Sequence, residues 1–76
     1  MLKVGQVYKD IQKPVWRKYE AEMFVISNIS FNKVNIIYND GTVDYVGYEW
    51  IKGDCELLAE YDTWQTAVNS KEFKNG

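Results

Sequence analysis

The sequence predicts a mainly β domain: five short antiparallel strands closed into a small barrel, with one short α-helix at the C-terminal end. Three observations predict it. Asn39-Asp40-Gly41 sits between two β-rich runs, Val34–Tyr38 and Thr42–Val46. Residues of these types tolerate the positive φ of tight hairpin turns, so the triplet marks a β-hairpin. Strand-like runs rich in Val, Ile, Phe and Tyr recur at short spacing, broken by Gly, Asn and Ser. After Asp62 the apolar spacing becomes helical, with Trp64, Ala67 and Val68 at i, i+3 and i+4.

Taken in order, Gly5 introduces a first strand over residues 6–9. Residues 10–18 carry the single proline, Pro14, and three basic residues, so they read as a long loop or an irregular edge. A second strand is expected over 19–29, centred on Met23-Phe24-Val25-Ile26. Four apolar residues in a row imply burial on both faces or a pleat broken by a bulge. Ser30-Phe31-Asn32 makes a turn. Strands over 33–38 and 42–48 follow, completing a central meander. Glu49 to Gly53 reads as a turn or one helical turn, and Cys55 to Tyr61 as the last strand. Asp62 stands three residues before Gln65, a version of the capping box. The helix is expected over 63–70.

Five short strands, tight connections and one long loop after the first make the SH3 pattern. An OB-fold is the nearest rival but takes longer strands. The expected organisation is one domain over 1–76: barrel 1–61, helix 62–70 and a frayed tail 71–76. The expected core is Val7, Phe24, Ile26, Val34, Ile36, Val43 and Leu57, with Trp64 docking the helix on the barrel rim.

Seventy-six residues form a small core, because a chain of this length buries only about 60% of the surface its unfolded form exposes. The apolar fraction of 46% and aromatic fraction of 16% supply that core without a metal or disulfide staple. One cysteine, Cys55, forms no intrachain disulfide, which fits a reducing, cytoplasmic setting. No histidine occurs, which removes the commonest general base and the commonest metal ligand together. Neither a signal-peptide core nor an apolar run of membrane-spanning length is present.

The net charge of −2 is unevenly spread. Residues 1–18 hold five cations against Asp10, and residues 39–62 hold seven anions against Lys52. Such asymmetry marks an interaction surface, unless opposite charges meet on neighbouring strands after folding.

The run Val4-Gly5-Gln6-Val7-Tyr8-Lys9-Asp10, an apolar strand and the Tyr-Asn-Asp-Gly-Thr hairpin resemble small uncharacterised SH3-like proteins of phages and prophages. Leu58-Ala59-Glu60-Tyr61-Asp62-Thr63-Trp64-Gln65 resembles the closing segments of short phage proteins from low-GC Gram-positive bacteria. The resemblance covers about half the chain. It implies a phage or prophage origin and carries no catalytic residues.

Catalysis has little to stand on. Cys55 lies between Asp54 and Glu56, and adjacent carboxylates hold a thiol in its unreactive protonated form. It reads instead as a half-buried strand residue. The pairs Glu20/Glu22 and Asp54/Glu56 share strand faces, as i, i+2 residues of any acidic strand do. Asp40, Asp44 and Asp54 lack the spacing of a calcium loop. The glycines are too scattered for a phosphate loop, and a chain this short is not expected to enclose a deep pocket of roughly several hundred Å³. The expectation is a non-enzymatic binding module without cofactor or metal.

Two binding surfaces stand out. Asp44, Tyr45, Tyr48, Glu49 and Trp50 combine aromatic rings with acids, which suits an extended peptide or a partner loop bearing lysine or arginine. If Val43 faces the core, Tyr45 faces inward and Asp44 and Val46 outward, a register that one bulge reverses. The alternative is single-stranded nucleic acid held by Lys13, Trp16, Arg17, Lys18 and Tyr19, where cations meet phosphates and rings stack on bases. The acidic second half opposes a phosphate backbone, so a protein partner is preferred. The chain is expected to be a monomer or weak homodimer.

Overall fold

The computed structural model describes residues 1–10 and 23–75. Its elements are β1 (Gln6–Asp10), β2 (Met23–Ile29), β3 (Val34–Tyr38), β4 (Val43–Val46), α1 (Tyr48–Asp54), β5 (Cys55–Glu60), α2 (Trp64–Val68) and α3 (Lys71–Asn75). The strands form one antiparallel sheet in the order β4-β3-β2-β1-β5. The sheet is not closed, with β4 and β5 as its outer strands.

The β3–β4 hairpin forms where the sequence places it. Tyr38 N–H donates to the Thr42 carbonyl at 2.8 Å, and Gly41 N–H to the Tyr38 carbonyl at 2.9 Å. Asp40 Oδ1 accepts from Thr42 N–H at 2.9 Å. Gly41 supplies the positive φ of 92°, while Asn39 and Asp40 keep ordinary backbone. Gly5 is the other positive-φ glycine, at 95°. A Cβ there would collide with the Tyr61 carbonyl, because Gly5 bridges two strands. Its N–H donates to the Ile26 carbonyl and its carbonyl accepts from Tyr61 N–H.

One face of the sheet carries Tyr8, Phe24, Ile26, Val34, Ile36 and Tyr38, covered by Ile51 of α1 and by Leu2. The other carries Val7 and Val25, covered by Ala67 of α2 and Phe73 of α3. Phe24, Val25 and Ile26 are all fully buried, and the register shifts between Ile26 and Asn28. The apolar run at 23–26 is thus a strand sandwiched between two layers, ended by a bulge.

Five expectations are corrected. Val43 is 67% exposed and Leu57 is 44% exposed, so neither belongs to the core. Val43 pairs with Ile37, and Val46 with the buried Val34, which puts Val46 and Asp44 on the α1-covered face and turns Val43 and Tyr45 to the other. The register is the reverse of the one expected. β4 ends at Val46 rather than 48, because Tyr48 already begins the seven-residue α1. The cap of α2 is Thr63, not Asp62: its Oγ1 accepts from Thr66 N–H at 3.1 Å. Finally, residues 71–75 are helical rather than frayed. Ser70 Oγ accepts from Phe73 N–H at 3.3 Å, and Phe73 is 4% exposed. A cap and a docked ring hold a helix too short to persist alone.

Candidate functional site

The structure disperses the five candidate partner-binding residues. Trp50 is partly buried in the α1-covered core, where its ring stacks on Phe24 at 5.6 Å and 22°. Phe24 also meets Tyr8 at 5.9 Å and Tyr38 edge-on at 5.7 Å, so Trp50 completes an aromatic cluster. Tyr48 packs against the same core and its hydroxyl donates to the Ser30 carbonyl at 3.1 Å. That bond ties the start of α1 to the β2–β3 turn. Glu49 is exposed in the first turn of α1, where a carboxylate suits the positive end of the helix.

Tyr45 alone presents its ring to solvent, at 59% exposure. Lys33 Nζ lies 4.5 Å from the ring centroid, a cation–π contact across the β3–β4 pair. Asp44 has a local role. Tyr38 N–H points across the hairpin to the Thr42 carbonyl, so by antiparallel alternation the Asn35–Tyr45 pair is a non-bonded one. Tyr45 N–H therefore points out of the sheet edge, where Asp44 Oδ1 accepts from it at 2.8 Å. The carboxylate occupies an amide that would otherwise invite another strand.

Sequence reasoning missed a second site. A partly open groove of about 420 Å³ lies between β5 and α3. Val7, Ala59, Leu58, Tyr61 and Phe73 line it, with Glu72 as its charged group. The groove is open to solvent rather than an enclosed deep pocket. The volume arises because α3 reaches the sheet through a single large ring. Leu58 is 44% exposed beside it. The pair Leu57-Leu58 was the available signal, since two adjacent leucines break strand alternation. The structure answers with a register shift between Val7 and Tyr8 opposite them.

Cys55 is half-buried at the start of β5. Lys9 lies opposite Glu56 across β1 and β5, one place where opposed charges sit on neighbouring strands. Among the described residues, no cluster of His, Cys, Asp and Glu is arranged to hold a metal, and no helix is long and apolar enough to cross a membrane. Tyr8 holds its phenol proton above the usual pH near 10, first because burial disfavours the phenolate, then because Glu60 and Cys55 add negative charge nearby. Its hydroxyl donates to Gln6 Oε1 at 3.2 Å, and the same oxygen accepts from Lys3 N–H at 2.9 Å. The nucleic-acid candidates Lys13, Trp16, Arg17, Lys18 and Tyr19 lie outside the described residues.

Searches of protein-family models, curated proteins and solved structures found no match to this chain.

Proposed function

We propose that the chain is a small non-enzymatic binding module, phage- or prophage-encoded and cytoplasmic, that engages a host or phage protein. One observation carries the reading. The outer strands leave large apolar side chains in solvent, Val43 and Tyr45 on β4 and Leu57 and Leu58 on β5. Exposed apolar groups gathered at sheet edges among acidic residues fit a protein surface that carries lysine or arginine.

An SH3-like barrel is the architecture we propose for it. The strand order, the long connection between β1 and β2, and a helical turn between β4 and β5 support that kinship. Backbone NOEs bridging β4 and β5 in solution would close the barrel. Their absence from an assigned spectrum leaves an open sheet and removes the SH3 comparison.

The functional reading is tested by titrating tryptophan fluorescence with a single-stranded oligonucleotide at low and moderate salt. No binding at low salt is expected. Salt-sensitive micromolar binding that Trp16→Ala abolishes overturns the reading in favour of nucleic acid, with a slope of roughly 0.7 per phosphate contact. A positive result for the protein reading is a partner captured from host lysate that rebinds the purified chain, with amide shifts confined to β4, β5 or the helices beside them.

A further inference from the structure

We infer that Asp40-Gly41 is a site of spontaneous covalent modification, at which Asp40 turns into isoaspartate, and that the β3–β4 hairpin gates the reaction. The reaction is independent of the binding reading above. It needs a carboxyl, the amide nitrogen of the next residue and water.

The step balances with no other reactant. The Gly41 nitrogen attacks Asp40 Cγ, and a C–N bond forms. The nitrogen's proton and the side-chain hydroxyl leave together as water. The product is a cyclic succinimide, to which water then adds back. Opening at Cγ restores aspartate. Opening at the main-chain carbonyl carbon leaves the chain running through Cβ and Cγ, which is isoaspartate.

Residue type and exposure single out this place. Asp40 and Gly41 are both exposed, so water reaches them. Gly41 has no side chain to crowd its nitrogen. Apart from its chain neighbours, no atom lies within 4 Å of the point where a Gly41 Cβ would stand. Asp44 is the contrast. Its Oδ1 lies 2.8 Å from the Tyr45 nitrogen, yet the tyrosine side chain crowds that nitrogen, and strand β4 holds both residues extended. Asp10, Asp54 and Asp62 are followed by Ile11, Cys55 and Thr63, which all carry side chains.

The hairpin engages both reacting groups. Gly41 N–H donates to the Tyr38 carbonyl at 2.9 Å. Asp40 Oδ1 accepts from Thr42 N–H at 2.9 Å. A succinimide nitrogen bears no hydrogen, and its Cγ oxygen is no longer a carboxylate. Ring closure therefore gives up the first bond outright and weakens the second, so the reaction runs from the opened turn. The product lengthens the main chain of the turn by one carbon. That turn sets the register of β4 on β3, and β4 carries the exposed Val43 and Tyr45.

The test is incubation of the full chain at one pH and temperature, with and without unfolding guanidinium. Peptide mapping with electron-transfer fragmentation then reads isoaspartate at each aspartate. It should collect at Asp40 ahead of the other aspartates, and roughly tenfold or more faster in the unfolded chain, since two hydrogen bonds no longer hold the turn. Gly41→Ala should slow the reaction severalfold in guanidinium, an arm in which folding plays no part. Equal rates in the folded and unfolded chain overturn the gate. Isoaspartate that forms no sooner at Asp40 than at Asp44, or fails to form at Asp40 in guanidinium, overturns the site.

Discussion

The two faces of the sheet are closed by unlike means. On one face, α1 lays Ile51, Trp50 and Tyr48 over a continuous layer running from Tyr8 through Phe24 to Val34. On the other, α2 and α3 bring the buried Ala67 and Phe73; on both faces the tryptophans, Trp50 and Trp64, are partly buried. Among the described residues the first face has the larger buried layer, eight residues against four, and its rings pack against one another around Phe24. The second leaves a groove beside Phe73 and leaves Val43 and Tyr45 of β4 in solvent. The face under α1 buries the larger layer, and the face under α2 and α3 is the more open one. A small domain can devote one face to stability only if the other tolerates exposed apolar surface.

Phe24→Ala should give the largest effect. Phe24 is 0% exposed and touches three other rings, so the loss should lie in the upper part of the ~3–5 kcal/mol range for such truncations. Urea melts measure it. Phe73→Ala should cost less, near the lower end of that range, because its ring borders a cavity that solvent already enters. Equal losses would break the distinction between the two faces.

Thr63→Ala removes the α2 cap and should cost about 1 kcal/mol. If the covering of the second face depends on that helix, the melt should shift together with protection of the α3 amides from hydrogen exchange. A shift without loss of that protection separates α3 from α2.

The smallest effect concerns pH. The neutral phenol of Tyr8 is favoured by folding, so its folded pKa lies above its unfolded value near 10. The stability this adds is complete below pH 10 and fades as pH rises from there through the folded pKa. Absorbance titrations of the parent chain and of Tyr8→Phe should differ by one phenol whose ionisation lies above pH 10. A difference that falls at or below pH 10 would show that the α1-covered face does not shelter this phenol.

Much of the α1-covered face was legible before the structure. Phe24, Ile26, Val34 and Ile36 followed from strand alternation and from the run at 23–26. The hairpin followed from Asn39-Asp40-Gly41, because turn chemistry is local. The candidate site was far less legible. Tyr45, Tyr48 and Trp50 sit close in sequence, yet Gly47 separates a strand from a helix between them, and the change of period sends Trp50 to the core and Tyr45 to solvent. The groove was hidden, because it is made by residues from β1, β5 and α3 that no spacing connects.

By itself, then, the sequence determined the β-rich class, the meander and the C-terminal helical turn. Each is set by interactions among neighbouring residues or by a periodicity readable along the chain. Only the tertiary structure decided the face on which β4 lays its side chains, the docking of α3 through Phe73 and the opening beside it. Those depend on register and on packing between distant elements, where a shift of one residue exchanges core for surface.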